Sequence, residues 1–262
     1  MKRKIITTSD GSKTIQIEDW NEQYHSIHGA IQEANHVFIK HGLLSHPELV
    51  SGSHQEEHNT EHRSLSEVEV SRNPVEVSSE QDRSKVDESH PINILEIGFG
   101  TGLNAFLTLI QAEQLKRHIH YVGVEAYPVE AAEIEQLNYV ELISPSHQDE
   151  FEQLHRLSWE AQHNITPFFQ LKKQQKFFKE IEADNAFDII YFDAFGARVQ
   201  PELWTEVIFT IMFKALKPNG VLVTYSAKGS VRRAMEAVGF TVERLPGPPG
   251  KREMLRARKM RS

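Results

Sequence analysis

The sequence predicts an α/β chain in which a mostly parallel sheet is covered by helices on both faces. From residue 93 onward, short and nearly all-apolar runs alternate with segments of helical period, the pattern of strands buried on both sides. A cluster of three glycines separates the first of these runs from the helix after it. Acidic residues stand at the ends of two later runs, Glu125 and Asp193.

Lys4–Thr8 and Lys13–Ile17 flank Asp10-Gly11, a turn dipeptide suited to a hairpin, so the chain opens with two paired strands. Asp19–Ile31 is mixed in pattern, and His36–Lys40 reads equally as short helix or strand. Asn93–Ile97 is the first buried strand, and Leu103–Gln114 follows with helical period. Ile119–Glu125 is a strand, and Pro128 opens a helix to about Leu137. Gln148–Gln162 reads as an amphipathic helix, Phe168–Leu171 as a strand and Gln174–Ala183 as a helix. Phe187–Phe192 is an apolar strand ending at Asp193. Glu202–Leu216 is a helix stopped by Lys217-Pro218-Asn219-Gly220, and Val221–Tyr225 is a buried strand. Ser230–Val238 is a helix ended by Gly239. Phe240–Leu245 and Glu253–Arg258 flank Pro246-Gly247-Pro248-Pro249-Gly250 with no helix between them, so they pair antiparallel.

The chain has 262 residues, 39% of them apolar, enough for a sizeable core. No cysteine is present, which excludes disulfides, thiolate metal sites and thiol nucleophiles. No apolar run approaches the ~18 residues of a membrane span, and the basic start Met1–Lys4 leads into no signal-peptide stretch. A cytoplasmic protein is expected.

The formal charge of −8 is unevenly spread. Residues 51–90 hold ten acids and four bases in a Ser-rich tract that reads as a disordered insert. His54, His58 and His62 recur there at helical spacing, but no apolar stripe would fix such a helix, so the tract reads as polar low-complexity and no metal is expected. Residues 228–262 hold ten bases and three acids, a basic end on an acidic chain.

Gly98-Phe99-Gly100-Thr101-Gly102 joins a strand to a helix. Glycine permits the tight turn and a close ligand approach, and the helix N-terminus offers free N–H groups. A dinucleotide fingerprint would place a small residue where Leu103 stands, so the Gly-x-Gly-x-Gly form departs from it. Glu125 follows Gly102 by 23 residues, where a carboxylate can accept hydrogen bonds from ribose hydroxyls. That supports a nucleoside ligand without choosing between cofactor classes. Asp193 emerges from its strand into the same crevice; burial there would raise its pKa and a neighbouring cation would lower it.

The glycine loop Gly98–Asn104, the Phe192-Asp193-Ala194-Phe195 segment running to Pro201-Glu202-Leu203-Trp204, the stretch Lys228-Gly229-Ser230-Val231-Arg232-Arg233 and Gly250-Lys251-Arg252-Glu253-Met254 together resemble the MnmC-like tRNA methyltransferases. The opening Trp20–Ser26, Gly29-Ala30, Glu33 and Val37-Phe38 is similar to that family's first segment. The resemblance spans nearly all of the chain except residues 51–90. It implies a Rossmann-like class I methyltransferase fold with a seven-stranded sheet, an N-terminal extension over 1–50 and a methyltransferase domain over 91–262. It implies S-adenosyl-L-methionine as cofactor, bound by Gly98, Gly100, Gly102, Asn104 and Glu125. The implied reaction is methylation of the exocyclic amine of 5-aminomethyl-(2-thio)uridine at the tRNA wobble position.

Asp193 is then the expected catalytic residue, orienting the amine and taking its proton. Phe195 is expected to stack the base or to pack in the core; Trp204 is open to the same two readings, with packing the stronger. Arg232, Arg233, Lys251 and Arg252 are expected to dock the anticodon stem-loop. Many methyltransferases place an acid after the third strand to contact adenine, yet Phe169–Gln175 offers none, leaving Gln170, Gln174 or backbone groups. Two other readings stay open: a transferase acting on a small amine, which would not need the basic end, and a non-catalytic RNA-binding protein. The oligomeric state is open, a monomer being favoured.

Overall fold

The computed structural model describes residues 2–50 and 90–261. The insert read over 51–90, with His54, His58 and His62, lies outside the described residues except for its last position. The chain opens with β1 (Arg3–Thr7) and β2 (Lys13–Ile17), paired antiparallel from Arg3↔Ile17 to Thr7↔Lys13. A short β3 (Glu22–Gln23) pairs with β2 and makes this sheet three-stranded. Ala30–Ala34 then forms a helical turn that widens into a π-helix over Asn35–Lys40. This resolves the segment that sequence left between helix and strand.

The main sheet comprises β4 (Ile92–Ile97), β5 (Ile119–Glu125), β6 (Gln162–Thr166), β7 (Phe169–Gln175), β8 (Phe187–Phe192), β9 (Leu216–Thr224), β10 (Thr241–Pro246) and β11 (Glu253–Arg258). Their spatial order is β10-β11-β9-β8-β4-β5-β7-β6. Strands β7, β5, β4, β8 and β9 run parallel, whereas β11, its hairpin partner β10 and the edge strand β6 join by antiparallel pairings. The strand order reverses beside β4, so a crevice opens between the C-terminal ends of β4 and β8.

Alternation along each strand divides the core. Ile92, Ile94, Tyr121, Leu171, Ile189 and Tyr191 face the Leu103–Leu115 and Gln148–Arg156 helices and the π-helix. Leu95, Ile97, Val124, Ile190 and Phe192 face the Glu206–Ala215 and Gly229–Ala237 helices. Val37, Phe38, Ile39 and Leu43 of the N-terminal segment belong to the first of these cores, with Phe38 packed on Tyr191 at 5.1 Å.

Among the described residues the sheet has eight strands, not the expected seven. The additional strand, β6, is a polar edge strand, Gln162-His163-Asn164-Ile165-Thr166, with no apolar alternation to announce it. The helix expected to reach Gln162 stops at Arg156, where Leu157 turns extended, and Glu160 sits at φ 65°. The helix expected over Gln174–Ala183 is absent. There β7 runs on to Gln175 with Lys173 buried at the position an apolar residue would take, and only Phe178–Glu180 forms a 3-10 turn. The helix expected from Pro128 shrinks to Ala131–Ile134 behind a Glu130/Glu133 capping box. Extended Thr205 divides the Glu202–Leu216 helix into a Pro201–Trp204 turn and the Glu206–Ala215 helix. Strand β9 starts at Leu216, with an irregularity in its pairing to β8 that absorbs Pro218 and Gly220.

Candidate active site

At the C-terminal ends of β4, β5 and β8 three segments are tied together by backbone bonds. Gly98 N–H donates to Val124 O at 3.0 Å and Asp193 N–H donates to Ile97 O at 2.9 Å. The turn after β4 needs glycine: Gly98, Gly100 and Gly102 sit at φ 94°, 48° and 71°. A Cβ on Gly98 would lie 2.7 Å from Asp193 O, so the glycine lets the two loops touch. Glu125 accepts the Gly100 N–H at 3.2 Å and the Tyr127 N–H at 3.0 Å. Burial raises its pKa, and those backbone donors and Arg3 oppose the rise.

A cavity of about 1580 Å³ opens over this junction, lined by Gly98, Gly100, Glu125, Asp193 and Phe195. One wall comes from the N-terminal segment. Tyr24 covers Gly100, where a Cβ would lie 3.1 Å from its ring, and packs edge-on against Phe195 at 4.9 Å. Trp20 meets Phe195 at 5.7 Å, so three aromatic rings bound the cavity beside Asp193. His25 Nε2 bonds Thr101 Oγ1 at 2.7 Å and pins the glycine loop from above. Burial, then the charge of Lys251, push this imidazole down to about 4, so it is neutral at pH 7.

Asp193 is held by Asn104, whose Nδ2 donates to Asp193 Oδ2 at 2.8 Å and to Glu96 Oε1 at 2.9 Å. Burial, reinforced by Glu33, pushes the Asp193 carboxyl up to about 7, against the opposing Asn104 bond and Lys251. Glu96 is fully buried and held well above the usual carboxylate range by desolvation, then by the charge of Asp193. The two acids thus share one amide, with Glu96 held well above the usual carboxylate range and Asp193 near its midpoint at pH 7.

Of the residues expected at the cofactor, Gly98, Gly100 and Glu125 line the cavity, while Gly102 packs against His155 and Phe99 behind it. Asn104 faces the two carboxylates. Beyond β7 the cavity is bounded by Gln175 and Phe177, whereas Gln170 and Gln174 do not line it. Phe195 bounds it, and Trp204 is buried with Nε1 donating to Phe195 O at 2.8 Å. Of the four expected docking cations only Lys251 lines it, in an ion pair with Glu33. Arg232 pairs with Glu236 at 2.7 Å on its own helix, and Arg233 and Arg252 are exposed. Sequence reasoning missed Trp20, Tyr24, His25, Glu33 and Glu96 as parts of the site. No spacing rule links residues 20–33 to a loop at 98–104.

Residues 138–260 match the family described as S-adenosyl-L-methionine-dependent methyltransferase. That match spans just under half of the chain, and it supports a methyltransferase that uses S-adenosyl-L-methionine. The fold of the chain is similar to that of MNMC2 from Aquifex aeolicus at TM-score 0.67 and 23% identity, over 98% of this chain and 69% of that one. A lower likeness, TM-score 0.48 and 13% identity over 97% and 72% of the two chains, is to spermidine synthase from Thermotoga maritima. The expected class I methyltransferase fold, the cofactor and the resemblance to MnmC-like enzymes are borne out.

The chain's own residues fit that cofactor. Three positive-φ glycines leave the backbone bare, and a half-buried carboxylate at the end of β5 faces the same cavity. Gly98, Gly100 and Glu125 would hold it. Among the described residues no group of His, Asp and Glu is arranged to bind a metal, and no helix is long and apolar enough to cross a membrane.

Proposed function

We propose that this methyltransferase acts on the exocyclic amine of 5-aminomethyl-(2-thio)uridine at the tRNA wobble position, giving the 5-methylaminomethyl nucleoside. The observation that carries the proposal is Asp193, a carboxyl near its midpoint at pH 7, set beside an aromatic corner of Trp20, Tyr24 and Phe195 and next to the glycine loop. An anticodon-loop base can splay out and stack on such rings. The motif resemblance and the likeness to MNMC2 favour the same substrate.

The bound cofactor supplies an activated methyl group. An alkylamine attacks only when neutral, yet it is mostly protonated at pH 7. Asp193 orients the amine and accepts its proton, because a carboxyl near its midpoint can both take a proton and return it to solvent. Asn104 fixes the carboxylate oxygen, and the aromatic wall limits how the base can sit; alignment of this kind contributes up to about 7–11 kcal/mol. Arg233 and Arg252, both exposed, contact the anticodon stem-loop, and the enzyme works in the cytoplasm. The test is nucleoside mass spectrometry of tRNA from cells lacking the protein. Accumulated 5-aminomethyl nucleoside supports the reading, and an unchanged nucleoside profile refutes it. Methyl transfer to free polyamines but not to tRNA would favour the small-amine reading instead.

A further inference from the structure

Lys251 was expected on an RNA-facing surface, but its ammonium is already engaged inside the cavity. It lies on the loop between β10 and β11, and its Nζ pairs with Glu33 Oε2 at 2.5 Å. The same Nζ sits 3.9 Å from the centroid of the Tyr225 ring. Tyr225 in turn donates its hydroxyl to Ala194 O at 2.8 Å, one residue beyond Asp193. Glu33 is almost wholly buried and its other oxygen accepts the Ser26 N–H at 3.3 Å.

The loop that carries Lys251 is fastened to the N-terminal segment at two further points. Gly250, at φ 80°, has no room for a Cβ because the His28 ring fills that space. His36 Nε2 bonds Pro246 O at 2.8 Å. A cation this firmly placed, opposite a buried anion, is costly unless both charges are paired.

We infer that the Glu33–Lys251 ion pair is a positioning pair for methyl transfer, a fixed cation and anion on the substrate side of Asp193 that set how readily the substrate amine gives up its proton. This rests on the reading of Asp193 as proton acceptor. Lys251 disfavours a second positive charge beside it and steadies the ionised carboxylate. Glu33 does the reverse. The charged and titratable groups facing Asp193 are Glu33, Lys251, Glu96, Tyr225, Tyr121 and Tyr139, with the Asn104 amide bonded to it. Lys251 also faces His25, which stays neutral.

The two partners must therefore act with opposite sign, which a purely structural pair would not do. The experiment is the pH profile of kcat/KM on tRNA bearing the aminomethyl nucleoside, with equilibrium binding of S-adenosyl-L-methionine measured on each variant. Lys251→Met should move the acid limb upward, and Glu33→Gln should move it downward, each by about half a pH unit or more. Lys251→Arg and Glu33→Asp should keep the limb near its original place, and Lys251→Gln and Glu33→Met replace the first charge-removing variants if either fails to bind cofactor. Limbs of the charge-removing variants that shift in the same direction, or that do not shift while cofactor binding is intact, overturn the inference. Asp193→Asn separates the two ideas: methyl transfer that persists in that variant, with its acid limb, overturns the assignment of Asp193. Turnover lost there, with the parent's limb unmoved by Lys251→Met and Glu33→Gln, overturns only the pair's role.

Discussion

Replacing Asp193 by Asn should abolish methyl transfer and make the protein more stable. The carboxyl is displaced from 3.8 to about 7, and each pH unit of displacement corresponds to about 1.36 kcal/mol. Keeping this acid in the folded state therefore costs at most roughly 4 kcal/mol at pH 7. Asp193 lines the cavity and keeps some contact with solvent, so screening reduces the figure to about 1–2 kcal/mol. Its folded-state pKa lies above its unfolded value, so stability is highest below about 4 and declines as pH rises towards 7. Asn carries no such penalty, and its oxygen can still accept the Asn104 N–H. Thermal unfolding across pH 4–8 should show the variant level with the parent at the acid end. It should gain roughly 2–8 °C in Tm by pH 7. A variant that is less stable at pH 7, or whose advantage does not change with pH, would refute the picture of a buried, reluctantly ionised acid.

Three further outcomes follow from the same geometry. Gly98→Ala forces a side chain into φ 94° and against Asp193 O, and should lose about 1–3 kcal/mol in chemical denaturation together with cofactor binding. Glu125→Ala removes the acceptor at the end of β5 and should weaken S-adenosyl-L-methionine binding roughly 10- to 100-fold by calorimetry, leaving the β4–β8 junction folded. Arg233→Ala and Arg252→Ala should raise KM for tRNA and each lower the salt slope of binding by about 1. Arg232→Ala, whose guanidinium is held by Glu236, should change tRNA binding least.

The parallel sheet was legible because each buried strand is an almost unbroken apolar run, as in Phe187–Phe192, and because Gly98, Gly100 and Gly102 mark the turn where the backbone must take positive φ. The same rule hid β6 and the second half of β7. Gln162–Thr166 is a solvated edge strand, and Lys173 occupies a core position with its ammonium turned to His155 O at 2.8 Å and lying over the Trp159 ring at 5.0 Å. A lysine in an apolar slot reads as a helix surface until the neighbouring strand is known. Glu125 and Asp193 were visible because each ends a strand. Glu33 and Lys251 are 218 residues apart and only tertiary folding makes them a pair. Of the ten bases at the C-terminal end, Arg244, Arg256 and Arg258 are paired with Glu253 and Glu243 of the same segment and Lys251 with Glu33 of the N-terminal segment, so fewer stand unpaired than the sequence suggests.

The most direct test of the substrate reading is a reconstituted reaction. The purified protein, S-adenosyl-L-methionine and tRNA carrying 5-aminomethyl-uridine or its 2-thio form are combined, and the nucleosides are read by mass spectrometry. The account predicts conversion to the 5-methylaminomethyl nucleoside, lost in Asp193→Asn while that variant still binds cofactor. Recovery of unmodified aminomethyl nucleoside from a protein that binds S-adenosyl-L-methionine would contradict it.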